Sequence, residues 1–222
     1  MTRLITLNLA NNKIKGMSPF TVEENFVNLK WLDVSNNKLT EIPALKLPKL
    51  EYFDCSGNKM EKVNDGWSGH ANIRIMKCAD NKYKTMAPFK AMPQLVELDM
   101  AKNMMISLSG WESLPMLKKL HLRRNKIDKI EDELPPLESL EYLDLESNNI
   151  LTMKVLSRVF QFATLKNLNV TNNPVNLEMS HFNVLMSEVL CLSPKLVTFC
   201  EVEVEEGHRL EAIFLAQYRH DV

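Results

Sequence analysis

Residues 117–127 read Leu-Lys-Lys-Leu-His-Leu-Arg-Arg-Asn-Lys-Ile, and residues 140–150 read Leu-Glu-Tyr-Leu-Asp-Leu-Glu-Ser-Asn-Asn-Ile. Each string places apolar residues at its first, fourth, sixth and eleventh positions and asparagine at its ninth. The same template opens at Leu4, Leu29, Leu50, Ile73, Leu95 and Leu165, so eight copies follow one another at spacings of 21 to 25 residues. The ninth position is asparagine in every copy: Asn12, Asn37, Asn58, Asn81, Asn103, Asn125, Asn148 and Asn173. A fixed period of this length means stacked units that share one elongated core.

The physics of the template explains each slot. Alternation around the fourth and sixth positions predicts a short strand with its apolar residues inward. Successive strands then stack into a parallel sheet on the concave side. The chain must turn sharply after the strand, and an inward asparagine can hydrogen-bond the backbone groups that the turn leaves unpaired. Cys55 and Cys78 occupy the sixth position of adjacent copies and read as small buried hydrophobes. Met60, Met76, Met100 and Met105 likewise fall in core slots. A period near 22 or 23 leaves room on the convex side for an extended segment or a short helical turn. Two connections, Phe20–Val27 and Val155–Phe162, have apolar residues near helical spacing and predict short helices.

The template stops after Asn173-Pro174. Ser180 is placed to cap a helix running to about Cys191, with Phe182, Leu185, Met186, Val189 and Leu190 on its apolar face. Leu196–Cys200 reads as a strand-like return. Leu210, Ile213, Phe214 and Gln217 then follow Glu205 and Glu206 at helical spacing, predicting a second helix whose apolar face covers the last copy. The organisation expected is eight repeats over residues 1–175 and a C-terminal cap over 176–222.

This template is that of leucine-rich repeats, and the chain resembles their 22-residue class. The stretch from Asn172-Asn173-Pro174 to Glu205-Glu206-Gly207-His208-Arg209 is similar to the C-terminal cap of that class. The stretch Met100–Ile130 looks most like a ciliary radial-spoke member. The resemblance implies an α/β leucine-rich-repeat solenoid with a parallel concave sheet, short convex segments and a helical C-terminal cap. It also implies a scaffold in the ciliary or flagellar axoneme, with protein partners in a large assembly. The class includes a regulatory subunit of protein phosphatase one and a spliceosomal protein, so phosphatase regulation and RNA association stay open as alternatives.

Composition agrees with a folded domain. Of 222 residues, 45% are hydrophobic and 25% charged, and the formal net charge is -1. That balance predicts neither a general nucleic-acid binder nor a membrane-surface protein. No apolar stretch reaches 18 residues, and the first residues alternate rather than form a secretory signal. Cys55, Cys78, Cys191 and Cys200 lack metal-ligand spacing, which points to reduced thiols in a cytoplasmic setting. Asn169-Val170-Thr171 is then a chance glycosylation triplet. No nucleotide-binding, metalloprotease or nucleophile-elbow motif occurs, so neither catalysis, a small-molecule substrate nor a cofactor is expected. The basic residues Lys118, Lys119, Arg123, Arg124, Lys126 and Lys129 are followed by Asp128, Glu131, Asp132 and Glu133, the pattern of a solvated charged edge rather than an RNA patch. Residues 174–222 carry 3 basic and 8 acidic side chains against 24 and 20 before them, which makes the chain electrically polar end to end.

Binding is expected where strand side chains point outward. Trp31, Tyr52 and Ile75 share the third template position on consecutive strands, beside Asp33, Asp54 and Lys77 at the fifth. Three neighbouring apolar side chains on an open sheet predict a partner site. His121 and Tyr142 extend the outward rows, and His121 lies near Asp99 and Asp144 of the neighbouring strands. The first copy offers a second surface: Leu7, Leu9 and Ile14 would lie at an open end, to be covered by a partner polypeptide or by a preceding segment.

Overall fold

In the computed structural model, which describes residues 1–178 and 181–220, each copy of the template forms one strand at its third to fifth positions. These are β1 (Thr6–Asn8), β2 (Trp31–Asp33), β3 (Tyr52–Asp54), β4 (Ile75–Lys77), β5 (Glu97–Asp99), β6 (Lys119–His121), β7 (Tyr142–Asp144) and β8 (Asn167–Asn169). They pair in parallel, in chain order, with like template positions opposite one another, as in Trp31 with Tyr52 and Tyr52 with Ile75. The result is the expected solenoid with a concave parallel sheet. Leu32, Phe53, Met76, Leu98, Leu120 and Leu143 at the fourth position form a continuous inward row with no exposure.

The asparagines do more than close their own turns. Asn103 Nδ2 donates to Met100 O and Ala101 O in its own repeat, at 3.0 and 3.2 Å, and to Cys78 O of the preceding one at 3.0 Å. Its Oδ1 accepts the Tyr83 N–H of that preceding repeat at 3.0 Å. Asn37, Asn58, Asn81, Asn125, Asn148 and Asn173 each bond the preceding repeat in the same two ways. The ladder therefore ties repeat to repeat. Asn12 bonds only Leu9 O and Ala10 O in its own turn.

The residue before each asparagine supplies the turn. Asn11, Asn36, Gly57, Asp80, Lys102, Arg124, Ser147 and Asn172 all have φ between 52° and 65°. Asparagine, aspartate and glycine tolerate this left-handed region, whereas Lys102 and Arg124 adopt it at a steric cost.

Cys55 and Cys78 are fully buried free thiols, with their sulfurs 3.3 Å apart across adjacent repeats. Burial, and then the neighbouring Cys55, push the Cys78 thiol well above its ordinary range. A thiol so placed packs as a hydrophobe and is a poor nucleophile.

On the convex side, Glu41–Ile42 pairs with Lys62–Val63, and Ser107–Leu108 with Lys129–Ile130, as short parallel strands. The connection at 155–162 is helical, in a turn at Met153–Leu156 followed by a 3₁₀ segment at Ser157–Gln161. The helix expected over Phe20–Val27 is instead a 3₁₀ turn at Ser18–Thr21. It lies upstream of the expected stretch, with Pro19 in its first turn, where a fixed φ and a missing N–H are tolerated.

The C-terminal region differs from expectation in three ways. The residue expected as a cap, Ser180, lies outside the described residues. Helix α1 (Phe182–Leu192) follows His181 at the N-cap position, with no side-chain capping bond, and buries Leu185, Met186, Val189 and Leu190 against the end of the solenoid. Next, the strand-like return expected at Leu196–Cys200 forms as β9 (Thr198–Phe199), parallel to β8, and the difference is a further strand, β10 (Val202–Glu203), which turns back antiparallel on β9. Cys200 and Glu201 form that hairpin with φ of 49° and 66°, a turn usually written with asparagine and glycine.

The third difference is the face of α2 (Glu206–His220). Leu210, Ile213 and Phe214, expected to cover the last repeat, are 59%, 54% and 71% exposed. The opposite side is inward. Ala212 is buried and its carbonyl accepts from Cys191 Sγ at 3.1 Å, while the Arg209 guanidinium donates to Pro194 O and Leu196 O. A small residue and an arginine fork bind α2 to α1 and to the chain beside it, so the bulkier stripe is left outside. Phe214→Ser is therefore expected to change stability by no more than about 0.5 kcal/mol in a thermal melt. A loss above about 2 kcal/mol would mean that Phe214 is a core residue.

Candidate functional site

Strand geometry places the outward residues of β2, β3 and β4 side by side on the concave face. The Trp31 and Tyr52 rings stack with centroids 5.1 Å apart and planes 10° from parallel. That separation is close to the spacing of adjacent strands, so the rings stand upright and pile along the sheet. Ile75 continues the row on β4, and the Lys77 ammonium lies 5.8 Å from the Tyr52 ring centroid, over its face. All three side chains of the row are half-buried.

The fifth-position acids serve two ends. Asp33 Oδ1 accepts the Ser35 N–H at 2.8 Å, and Asp54 Oδ1 accepts the Ser56 N–H at 2.9 Å, each bracing the turn beyond its strand. Asp54 Oδ2 takes the Tyr52 hydroxyl at 3.3 Å. The Tyr52 pKa is pushed up to about 12, first by burial and then by Asp54, with Asp33 and Glu97 adding to the negative field. Among the described residues neither Asp33 nor Asp54 is in an ion pair; Lys30, nearby, is paired with Glu51 at 2.8 Å.

His121 and Tyr142 form a separate patch. Their rings lie 5.1 Å apart at 43° on β6 and β7. Two strand steps, roughly 10 Å, separate β4 from β6, with Glu97 and Asp99 of β5 between. The outward residues named from sequence thus fall in two patches, one on β2–β4 and one on β6–β7. Asp144 of β7 is more enclosed than its template position suggests, at 3% exposure. Burial raises its carboxyl pKa, against the Glu146 N–H that it accepts at 3.0 Å. A carboxyl raised by folding is penalised in its charged form; the penalty is full at neutral pH and fades as the pH falls to the unfolded value of 3.8. Asn169 makes the same bond one strand along, at 3.0 Å. Asp144→Asn should therefore raise the melting temperature at pH 7, with the gain gone at pH 3. An equal gain at both pH values would contradict this account.

The other end of the sheet is less covered. Leu7, Leu9 and Ile14 are half-buried against the core, whereas their counterparts Leu32, Val34 and Leu39 in the next repeat are 0 to 1% exposed. No group of three His, Cys, Asp or Glu side chains is arranged to hold a metal ion among the described residues. No described helix is long and apolar enough to cross a membrane.

Comparison with known proteins agrees with this geometry. The family model described as leucine-rich repeats in two copies matches residues 27–66, and that described as leucine rich repeat matches residues 115–175. Lumican of Gallus gallus is 32% identical over 209 residues, covering 87% of this chain and 58% of that protein. Lumican of Oryctolagus cuniculus is 32% identical over 170 residues, covering 74% of this chain and 85% of that sequence. Leucine-rich repeat-containing protein 23 of Homo sapiens is 26% identical, covering 95% of this chain and 66% of that protein. The chain thus spans less than two thirds of the length of several relatives. The solved APL1 leucine-rich repeat domain superposes with a TM-score of 0.61 at 19% identity, over 76% of this chain and 43% of that one, which is a likeness of fold.

Proposed function

Because the chain belongs to the leucine-rich-repeat family, we propose that it is a non-enzymatic interaction scaffold whose concave sheet docks a protein partner, set in a ciliary axonemal complex of the radial-spoke type. The observation that carries the docking reading is the Trp31–Tyr52 stack. Two large rings stand half-buried on an open sheet and continue into Ile75, where the fold itself needs no aromatic residue. Aromatic side chains in such a setting dominate binding energies. The mechanism is rigid display, since the asparagine ladder couples each repeat to the one before it. The partly covered edge at Leu7, Leu9 and Ile14 is a second contact in the same proposal. The ciliary setting is supported by the likeness to the human protein over 95% of this chain.

Trp31→Ala tests it. The side chain points away from the core, so the melting temperature should hold while capture of the partner from ciliated-cell extract weakens by about 2 kcal/mol, or roughly 30-fold. Unchanged capture rejects the concave site. Recovery of a phosphatase catalytic subunit or of RNA-processing factors, in place of axonemal proteins, rejects the ciliary setting.

A further inference from the structure

We infer that the uncovered face of Trp31 seats an arginine side chain of the docked partner, with the Asp33 carboxylate as its counter-charge. The inference rests on the concave-docking reading and names the chemistry that this face selects. The Trp31–Tyr52 stack runs across the strands, so each ring has one face against the other and one face free of it. The far face of Tyr52 looks towards β4, where Lys77 lies over it at 5.8 Å. The far face of Trp31 looks towards β1, where the in-register residue is the short, exposed Thr6. Among the described residues no cation or second ring lies on it. The aromatic stack therefore carries a cation at one end and is open at the other.

Asp33 lies two residues along β2 from Trp31, on the same outward side of the sheet. One of its oxygens is held by the Ser35 N–H, and the other has no hydrogen bond or ion pair among the described residues. Its charge is not what the turn needs. Asn8 and Asn169 occupy the same template position and accept the same backbone N–H with a neutral amide, at 2.9 and 3.0 Å. The carboxylate thus adds a free negative charge on the same side of the sheet as a half-buried indole, where Asp54, Asp33 and Glu97 add to burial in opposing ionisation of Tyr52. A guanidinium fits both groups at once. It is planar and weakly hydrated, stacks on an indole face, and directs its N–H groups sideways to a carboxylate. A lysine ammonium satisfies the charge but not the stacking plane.

The experiment is a titration of the ¹⁵N-labelled full chain with the acetylated peptide Gly-Arg-Gly-Arg-Gly, against its lysine and citrulline versions. The Trp31 indole N–H is followed, and Trp67 and Trp111 serve as internal controls because each is buried and donates to a carbonyl, of Pro88 and Pro135 respectively. The arginine peptide should give a saturable shift at Trp31 and at the Thr6 and Asn8 amides. The lysine peptide should bind several-fold more weakly and the citrulline peptide not at all. Asp33→Asn, which keeps the turn bond, should weaken the arginine peptide about tenfold with an unchanged melting temperature. An absence of saturable shift, equal response to the lysine peptide, or indifference to Asp33→Asn overturns the inference. Partner capture separates the two readings. If Trp31→Ala abolishes capture while the arginine peptide neither binds nor competes, the docking site stands and the arginine seat falls; if capture survives Trp31→Ala, the docking site itself falls.

Discussion

Asn103→Ala is expected to destabilise the protein by about 3–5 kcal/mol, whereas Asn12→Ala should cost no more than about 1 kcal/mol. The two asparagines hold the same template position and differ in what they join. Truncating Asn103 strands the Tyr83 N–H and removes the donor to Cys78 O, Met100 O and Ala101 O, all in the dry interior. Each buried group left without a partner costs roughly 1–3 kcal/mol. Asn12 is exposed, and the carbonyls it serves can turn to water. At the usual scaling for a domain of this size, the first change should lower the melting temperature by about 10 °C or more and the second by a few degrees. Chemical denaturation of the two variants checks this. Equal losses would mean that the asparagine acts only within its own turn and that the coupling between repeats has another source.

Gly69→Ala is expected to cost about 3 kcal/mol or more, again by thermal or chemical melt. Gly69 has φ of +93°, and a Cβ there would lie 2.3 Å from Lys90 O and 2.5 Å from Ala91 O. Both are backbone atoms of the next repeat and cannot rotate away, so strain is added to the conformational penalty. Gly110 shares the backbone geometry, with φ of +96°, but its Cβ would meet chiefly the Thr85 hydroxyl, at 2.5 Å. That side chain can turn, so Gly110→Ala should be the milder change. Gly207 has open space around it in the first turn of α2, and Gly207→Ala should be neutral or slightly stabilising. The order Gly69, Gly110, Gly207 is the result to look for, and a flat series would remove the close approach of repeats as the cause.

The solenoid was legible in the sequence because its signal is local and repeated. Alternation about Leu120 or Leu143 sets the strand, and the asparagine at a constant distance sets the turn, whatever the neighbouring repeat contains. The same logic placed Cys55 and Cys78 inside and Trp31, Tyr52 and Ile75 outside. The left-handed residue before each asparagine was only half visible: Asn11 and Gly57 suit that conformation, but nothing about Lys102 or Arg124 announces it. There the N–H is held by the next repeat, Lys102 by Arg123 O and Arg124 by Glu146 O, both at 2.8 Å, in a backbone that the residue would not choose alone.

What lay beyond the amino-acid string was decided by contacts between segments with no periodic relation. The face of α2 could not be read from its apolar stripe, since Ala212 and the Arg209 fork met α1 and its flanking carbonyls more closely than Phe214 could. The hairpin at Cys200 and Glu201 formed because β8 offered an unpaired edge, against the preference of both residues. The enclosure of Asp144 was likewise invisible in its template position, which Asp33, Asp54 and Asp99 share while staying more open. A repeat's own residues are enough to determine its shape, because they supply the strand, the turn and the inward face. Which faces stay open depends on what packs last, and that is a competition among surfaces that meet only when the chain has folded.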